Sequence, residues 1–102
     1  MQTHPLKLVT IICEALAGPP LQRLLAEVGA QGYTMFTVEG SGRQGPRAGE
    51  LRELANIQVE VIVSPVVAGQ LLERLAQDFF PKFAMVAYET DIRVLRQDKF
   101  AP

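Results

Sequence analysis

A glycine-rich stretch carries the chemistry that is easiest to recognise in this sequence. The stretch reads Gly40, Ser41, Gly42 and Arg43. Its glycines leave backbone N–H groups unhindered, and both N–H groups and a planar guanidinium suit the oxygens of a phosphate. The stretch predicts a phosphate-binding loop, although short Gly/Ser segments between strands also serve as plain connections. It is not a Walker loop, because no Gly-Lys-Ser/Thr follows at the required spacing.

A second group of cations lies near the C-terminus, at Arg93, Arg96 and Lys99. Two arginines three residues apart can converge on one anion if the tail wraps onto the edge of a sheet. Asp91 and Asp98 interleave with them, so a solvated, charge-balanced tail is the alternative interpretation.

Catalytic and metal-binding patterns are sparse. His4 is the only histidine and Cys13 the only cysteine, so one chain cannot build a histidine-based triad or a multi-histidine metal site. Cys13 lies in an apolar run and is expected to be a buried, small hydrophobic residue. Carboxylates are dispersed over the predicted strand ends, where they usually face solvent, at Glu14, Glu39, Glu60 and Glu89.

Composition narrows the class of protein further. The chain has 102 residues, which suits one domain covering residues 1–102. Ten basic residues nearly cancel eleven acidic ones, which argues against a protein that coats nucleic acid or an anionic membrane. The N-terminal residues resemble neither a signal peptide nor a membrane span, and a single cysteine is typical of a reducing compartment. We therefore expect a cytoplasmic protein.

The elements that must position these groups follow from hydrophobic periodicity and from capping residues. Ser64-Pro65, for example, is a typical helix start, with a capping hydroxyl before a proline. The predicted elements are a strand Leu6–Cys13, a helix Pro19–Ala30, a strand Tyr33–Val38, a mobile loop 39–50, a strand Leu54–Val63, a helix Pro65–Asp78, a strand Phe83–Glu89, a short fifth strand Ile92–Leu95 and a polar tail 96–102.

This order predicts an α+β domain of the ferredoxin-like βαββαβ type, an antiparallel sheet with both helices on one face. The strands nevertheless carry apolar residues on both faces; Val61 and Val63, for instance, alternate with Ile62. An uncovered face of this kind would be a large apolar patch, so we expect oligomerisation to cover it and any site to lie between subunits.

At this point the sequence resembles a known family, the PII-like signalling proteins, along nearly its whole length. The similar segments are Lys7-Leu8-Val9, Gly29-Ala30-Gln31-Gly32-Tyr33-Thr34 and Gly40-Ser41-Gly42-Arg43. Two further segments, Ala55-Asn56-Ile57-Gln58-Val59-Glu60 and Phe79-Phe80-Pro81-Lys82-Phe83-Ala84, resemble the inorganic-carbon branch, which includes carboxysome-associated PII proteins and bicarbonate-transporter regulators.

The resemblance implies a homotrimer with a nucleotide cleft between each pair of neighbours. It implies that Tyr33 and Thr34 line the adenine and ribose pocket and that Gly40 to Arg43 lie beside the phosphates, at the base of the mobile T-loop. The B-loop corresponds to Pro81 through Met85, so Phe83, Ala84 and Met85 would approach the nucleotide from the neighbouring subunit. Arg93 and Arg96 occupy the region where family members reach the phosphates.

Two departures from the family pattern refine these expectations. The B-loop lacks the glycines of ordinary PII proteins, which makes ADP or AMP more credible ligands than ATP. The T-loop has no tyrosine, so uridylylation is not expected.

The carbon branch implies bicarbonate as a second ligand, held by Arg43 or Arg47. It also implies a regulatory role in inorganic-carbon uptake or fixation through ordering of the T-loop. The partner would then be a bicarbonate transporter or a carboxysome-related protein.

Two other classes of function stay open at this stage. A small enzyme on the same scaffold would need a histidine or paired carboxylates in a closed pocket, and the scarcity of such groups argues against it; slow hydrolysis of a bound nucleotide is compatible with the arginines. The other class is a trimeric metal-tolerance protein of similar architecture or a purely structural oligomerisation module, and metal storage would need more histidine and cysteine than this chain has.

Overall fold

The computed structural model describes residues 1–39, 41–42, 45–46 and 55–96 of the chain. Within these residues, six strands and two α-helices follow one another, with one 3-10 turn at Ala15–Ala17. The elements are β1 (His4–Glu14), α1 (Gly18–Glu27), β2 (Thr34–Val38), β3 (Ser41–Gly42), β4 (Gly45–Pro46), β5 (Asn56–Val63), α2 (Pro65–Asp78) and β6 (Met85–Val94).

The main sheet has four strands in the order β2-β5-β1-β6, and every neighbouring pair is antiparallel. The two longest strands, β1 and β6, pair along their whole shared length, from His4 opposite Val94 to Cys13 opposite Met85. With one helix after β1 and the other after β5, this is the predicted ferredoxin-like βαββαβ fold, which is confirmed. The short strands β3 and β4 form a separate two-stranded ribbon.

One face of the sheet is covered by the helices and contains the hydrophobic core. Alternate residues of the two central strands point into this core because successive side chains of a strand face opposite ways. Side chains of both helices meet them there. The fully buried members with the largest side chains are Ile11, Leu21, Leu25, Leu71, Leu75, Val9, Val59 and Val61.

The other face of the sheet, which we call the open face, is covered by neither α1 nor α2. It carries the remaining alternate residues, several of them apolar and still in contact with solvent: Phe36 is 40% exposed, Val86 58% and Tyr88 47%. Strand register places the following apolar side chains on this face: Leu6, Leu8, Ile12, Phe36, Val38, Ile62, Val86, Tyr88 and Ile92. A sheet face that exposes several large apolar side chains usually marks an interaction site.

Helix α2 has the bounds that the sequence predicts. The Ser64 hydroxyl oxygen accepts a hydrogen bond from the Val67 N–H at 3.2 Å, and Pro65 occupies the first helical position. Both are local signals, since a capping hydroxyl satisfies an N–H that has no partner within the helix.

Helix α1 is shorter than predicted: it ends at Glu27 rather than at Ala30. The reason is Gly29, whose φ of 83° is a left-handed conformation that glycine adopts without strain. The Gly29 N–H donates to the Ala26 carbonyl at 3.2 Å and the Ala30 N–H to the Leu25 carbonyl at 3.0 Å, which closes the helix.

The sequence prediction is wrong in dividing the last strand in two, a strand Phe83–Glu89 and a separate fifth strand Ile92–Leu95. A single strand, β6, runs through the polar residues that suggested a break. Those residues have a partner across the sheet, because the Lys7 ammonium pairs with the carboxylates of both Glu89 (3.7 Å) and Asp91. Phe83 and Ala84 precede the strand, and the Phe83 N–H donates to the Phe79 carbonyl at 2.9 Å.

The predicted mobile loop 39–50 falls mostly outside the described residues. Gly40, Arg43, Gln44 and residues 47–50 are among those that the structure does not describe, as are residues 97–102 of the predicted tail. Where it is described, the loop forms the ribbon in which Ser41 lies opposite Pro46 and Gly42 opposite Gly45.

Candidate functional site

The end of the sheet at which β1 finishes, called here the Glu14 end, brings together several segments of interest. Glu14 lies opposite Asn56, the first residue of β5, and Asn56 also lies opposite Val38, the last residue of β2. Next to Glu14, Cys13 lies opposite Met85, where β6 begins. The predicted phosphate loop therefore leaves the sheet at the same end at which the predicted B-loop enters it.

The segment that joins α2 to β6 is a compact turn of residues 79–84, referred to below as the 79–84 turn. Its first N–H groups continue the helix, since Phe79 and Phe80 both donate to the Leu75 carbonyl at 3.0 Å. Lys82 and Phe83 both donate to the Phe79 carbonyl at 2.9 Å, and Pro81 has no N–H to donate. The rings of Phe79 and Phe83 pack with their centroids 5.8 Å apart.

The last N–H of this turn is held by a side chain. Ala84 N–H donates to the Glu14 carboxylate oxygen Oε2 at 2.9 Å, and the Glu14 N–H donates back to the Ala84 carbonyl at 3.3 Å. Glu14 is half-buried, whereas the sequence predicts a solvent-facing carboxylate. Only the pairing of β1 with β6, which the predicted fold contains, could have placed Glu14 beside residue 84.

The predicted adenine and ribose residues lie on the opposite edge of the sheet. Tyr33 directly precedes β2, and its hydroxyl oxygen accepts a hydrogen bond from the Gln22 Nε2 at 2.9 Å, which ties it to α1. Thr34, at the start of the edge strand β2, is exposed and lies opposite Glu60, which is halfway along β5. Because β2 and β6 are three strand spacings apart, about 14 Å separates this edge from the one that carries the 79–84 turn.

The predicted C-terminal phosphate ligands lie far from the 79–84 turn within one chain. Arg93 is opposite Pro5, near the start of β1, and Arg96 follows the end of β6. Arg93 lies eight residues after Met85 along β6, which corresponds to about 27 Å. Arg93 lines a cleft of about 470 Å³ beside the start of α2, together with Pro5, Leu6, Lys7, Pro65, Asp91 and Ile92.

The structure therefore gathers some of the predicted site residues and separates others. Phe83, Ala84 and Met85 lie at the Glu14 end, where Ala84 bonds to Glu14. Tyr33 and Thr34 occupy the other edge of the sheet, and Arg93 and Arg96 lie at its other end. Gly40, Arg43 and Arg47 lie outside the described residues, and Ser41 and Gly42 are described by their backbone pairing alone. A single chain does not form one pocket from the described members of this set.

The cysteine has the character that the sequence predicts. Cys13 is 2% exposed, and burial, with a smaller contribution from the negative charge of Glu14, raises the pKa of its thiol to about 11. A thiol of this kind is a poor nucleophile and a poor metal ligand at neutral pH. Among the described residues, no three His, Cys, Asp or Glu side chains come together in a way that could hold a metal ion.

Within the described residues, neither α1 nor α2 has the length and apolar character needed to cross a membrane.

The family model of the nitrogen regulatory protein P-II matches residues 6–99. No curated protein matches the chain.

Solved structures resemble the chain along almost its full length. A PII-like signalling protein of Thermus thermophilus is 40% identical, with 98% of this chain and 99% of that chain covered and a TM-score of 0.85. The PII-like protein CPII of Thiomonas intermedia K12, bound to ADP, AMP and bicarbonate, is 33% identical, with 99% and 98% covered and a TM-score of 0.89. CPII bound to ADP, AMP and acetate is 31% identical over 100% of both chains, with a TM-score of 0.82.

Proposed function

Since this chain belongs to the family of the nitrogen regulatory protein P-II, we propose that it is a regulatory protein that binds ADP or AMP in clefts between the subunits of a homotrimer. The observation that carries the proposal is the match to CPII, a protein of the same family that binds ADP, AMP and bicarbonate and that matches 99% of this chain. Its role is that of a sensor, in which ligand binding favours one state of the protein over another.

The geometry supports a site between subunits for two reasons. The residues proposed to contact the nucleotide lie on opposite edges and opposite ends of one sheet, so a second chain is needed to bring them together. The open face also leaves Phe36, Val86 and Tyr88 in solvent, and a second copy that covers it would bury this apolar surface.

In the proposed cleft, one subunit supplies Tyr33 and Thr34 to the adenine and ribose. The neighbouring subunit supplies Phe83, Ala84 and Met85, and Arg93 and Arg96 supply positive charge to the phosphates. Every N–H of the 79–84 turn is already bonded. We therefore expect side-chain cations, rather than the backbone of this turn, to carry most of the phosphate binding.

The finer part of the proposal concerns the second ligand and the partner. Bicarbonate is bound by Arg43 or Arg47 beside the nucleotide, and the ligands act through the segment 39–50 on a bicarbonate transporter or a carboxysome-related protein. The support for bicarbonate is its presence in CPII and the positive charge that the sequence of this segment supplies. The role in inorganic-carbon uptake or fixation is our prediction from the sequence resemblance.

Isothermal titration calorimetry with AMP, ADP, ATP and cyclic AMP, each with and without bicarbonate, tests this function. We expect binding of ADP and AMP at micromolar concentration, with one nucleotide per chain and tighter binding when bicarbonate is present. If none of the four nucleotides bound below millimolar concentration, the sensor function would be wrong. If ADP bound equally well with and without bicarbonate, only the second ligand would be withdrawn.

A further inference from the structure

We propose that the Glu60 carboxylate of one subunit accepts a hydrogen bond from the Tyr88 hydroxyl of the next subunit, and that this contact sets the register in which the subunits assemble. It rests on the proposed function, because it concerns the homotrimer that forms through the open face. It assigns a positioning role to two residues that we have not placed in the nucleotide-binding set.

A row of polar residues, called here the polar row, crosses the otherwise apolar open face. Strand register places its four members side by side on β2, β5, β1 and β6, in the order Thr34, Glu60, Thr10 and Tyr88. Thr10 is buried within the chain at 3% exposure, Glu60 is half-buried and Tyr88 is 47% exposed. Assembly through the open face would therefore remove one carboxylate and one phenol hydroxyl from water.

Glu60 lacks a compensating cation on the open face. Within the chain, its Oε2 accepts a hydrogen bond from the Gln58 Nε2 at 3.2 Å. Among the described residues of the four strands, no lysine or arginine shares this face, since Lys7 and Arg93 occupy the alternate positions that face the other way. Burying a carboxylate is costly unless further donors reach it. The face therefore favours a neighbour that supplies a donor to Glu60.

Tyr88 has the complementary requirement. No hydrogen bond joins its hydroxyl to another described residue, and a buried tyrosine hydroxyl usually has a partner. Glu60 of the same chain lies across β1, about 10 Å away at two strand spacings. A phenol that donates to a carboxylate makes a charge-assisted hydrogen bond, which is stronger than a neutral one. Two copies can thus satisfy both groups, whereas one chain leaves them apart.

A contact between unlike residues also agrees with a ring of subunits. Glu60 and Tyr88 lie on opposite sides of β1, so each copy offers the acceptor to one neighbour and the donor to the other. Such a heterologous contact can close into a ring. A twofold contact centred on the polar row would instead bring two Glu60 carboxylates together, and like charges on a desolvated surface repel.

The contact links the two parts of the proposed nucleotide cleft. Thr34, proposed to bind the ribose or adenine, lies directly opposite Glu60 in the sheet. Tyr88 follows Met85 by three residues of β6, about 10 Å along the strand. A hydrogen bond from Tyr88 to Glu60 therefore holds Thr34 of one subunit in a fixed position relative to the 79–84 turn of its neighbour.

A double-mutant cycle on the full chain tests the contact. Tyr88→Phe removes the hydroxyl and keeps the ring, and Glu60→Val removes the carboxylate and keeps a side chain suited to a strand. Urea denaturation of the unmodified chain, both single variants and the double variant, at one protein concentration, gives the coupling between the two positions. We expect Tyr88→Phe to raise the unfolding equilibrium constant about tenfold per chain when Glu60 is present, and to leave it nearly unchanged in Glu60→Val.

Two controls separate a contact between copies from an effect within one chain. The first repeats the cycle in Val86→Asp, which places a charge on the open face to dissociate the assembly; sedimentation velocity checks the mass. The coupling should disappear in single chains, and coupling that persists there would overturn the proposal. The second pairs Tyr88→Phe with Glu73→Gln, which removes an exposed carboxylate of α2 that accepts from Gln77, and should give no coupling.

The failures of this inference and of the proposed function are distinguishable. An assembled chain that binds ADP but shows no coupling between Glu60 and Tyr88 would overturn the contact and leave the function standing. Coupling in an assembled chain that binds no nucleotide would have the reverse meaning. Where both hold, calorimetry should show that Tyr88→Phe weakens ADP binding more when Glu60 is present than in Glu60→Val. An unchanged ADP affinity in Tyr88→Phe would contradict the positioning role.

Discussion

The two faces of the sheet are built from the same four strands, but only one of them is covered by the two helices of the same chain. On the covered face, Val9, Ile11, Val59 and Val61 are fully buried against helices that the same chain supplies. On the open face, Val86 and Tyr88 of the edge strand β6 are about half exposed. The covered face therefore accounts for the folding of the subunit, and in our proposal the open face accounts for assembly and for the nucleotide site.

The substitution Val86→Asp should give the largest effect, because it places a charge on the open face. We expect the assembly to dissociate to single chains of 11.2 kDa that keep their circular dichroism spectrum, because a buried, unpaired carboxylate disfavours association. Nucleotide binding should be lost with the assembly. Sedimentation velocity and calorimetry provide the two readouts.

The matched control for this change is Val66→Asp. Val66 is 70% exposed and lies in the first turn of α2, where a carboxylate is favourable. This variant should keep both the mass and the nucleotide binding of the unmodified chain. Dissociation of both variants, or of neither, would contradict the assignment of the interface to the open face.

A change in the covered face should instead reduce the stability of the subunit itself. Leu71→Ala removes a fully buried side chain from the centre of the core, and we expect it to lower the free energy of unfolding by about 2 to 5 kcal/mol. Chemical denaturation measures this loss, with the exposed Val66→Ala as the control. The loss should be of similar size in the Val86→Asp background; if it appeared only in the assembled protein, the two faces would not be independent.

The pH dependence of stability tests the burial of Cys13 in the covered face. The folded state retains the thiol proton up to a pKa of about 11, above the usual value of 9.0. The unfolded chain therefore loses this proton first, and the stability that is fully present below pH 9 decreases between pH 9 and 11. Chemical denaturation at pH 9 and at pH 11 measures this decrease in the free energy of unfolding. The decrease should be smaller by about 2 kcal/mol in Cys13→Ala. An identical decrease in both proteins would show that the thiol is solvated.

The smallest effect is expected at a helix cap, away from both faces. Ser64→Ala removes the acceptor for the Val67 N–H and should cost about 1 kcal/mol of stability. Assembly and nucleotide affinity should be unchanged. Ser64→Asn, which can cap the same N–H, should restore most of the loss in thermal denaturation, whereas a Ser64→Ala protein as stable as the unmodified chain would exclude the cap.

Helix α2 shows what the sequence could predict and why. Its start and stop depend on Ser64, Pro65 and Pro81, which act on their immediate neighbours, and its predicted bounds are those observed. The last strand shows the limit. Its Thr90-Asp91 pair looks like a break, and only the pairing with Lys7, distant in sequence, makes these residues part of one strand.

The same distinction applies to the candidate site. The fold and the apolar character of the open face follow from periodicity, which is a local property of each strand. The contact between Glu14 and Ala84 depends on the register of β1 against β6, so no pattern within either segment indicates it. The separation of Arg93 from Met85 likewise follows from the uninterrupted length of β6, which the predicted break concealed.

Sedimentation equilibrium of the unmodified chain at micromolar concentration, with and without ADP, tests the central claim most directly. We predict a particle of three times the 11.2 kDa chain mass that binds one ADP per chain. A folded particle of 11.2 kDa that does not respond to ADP would contradict both the assembly through the open face and the site that depends on it.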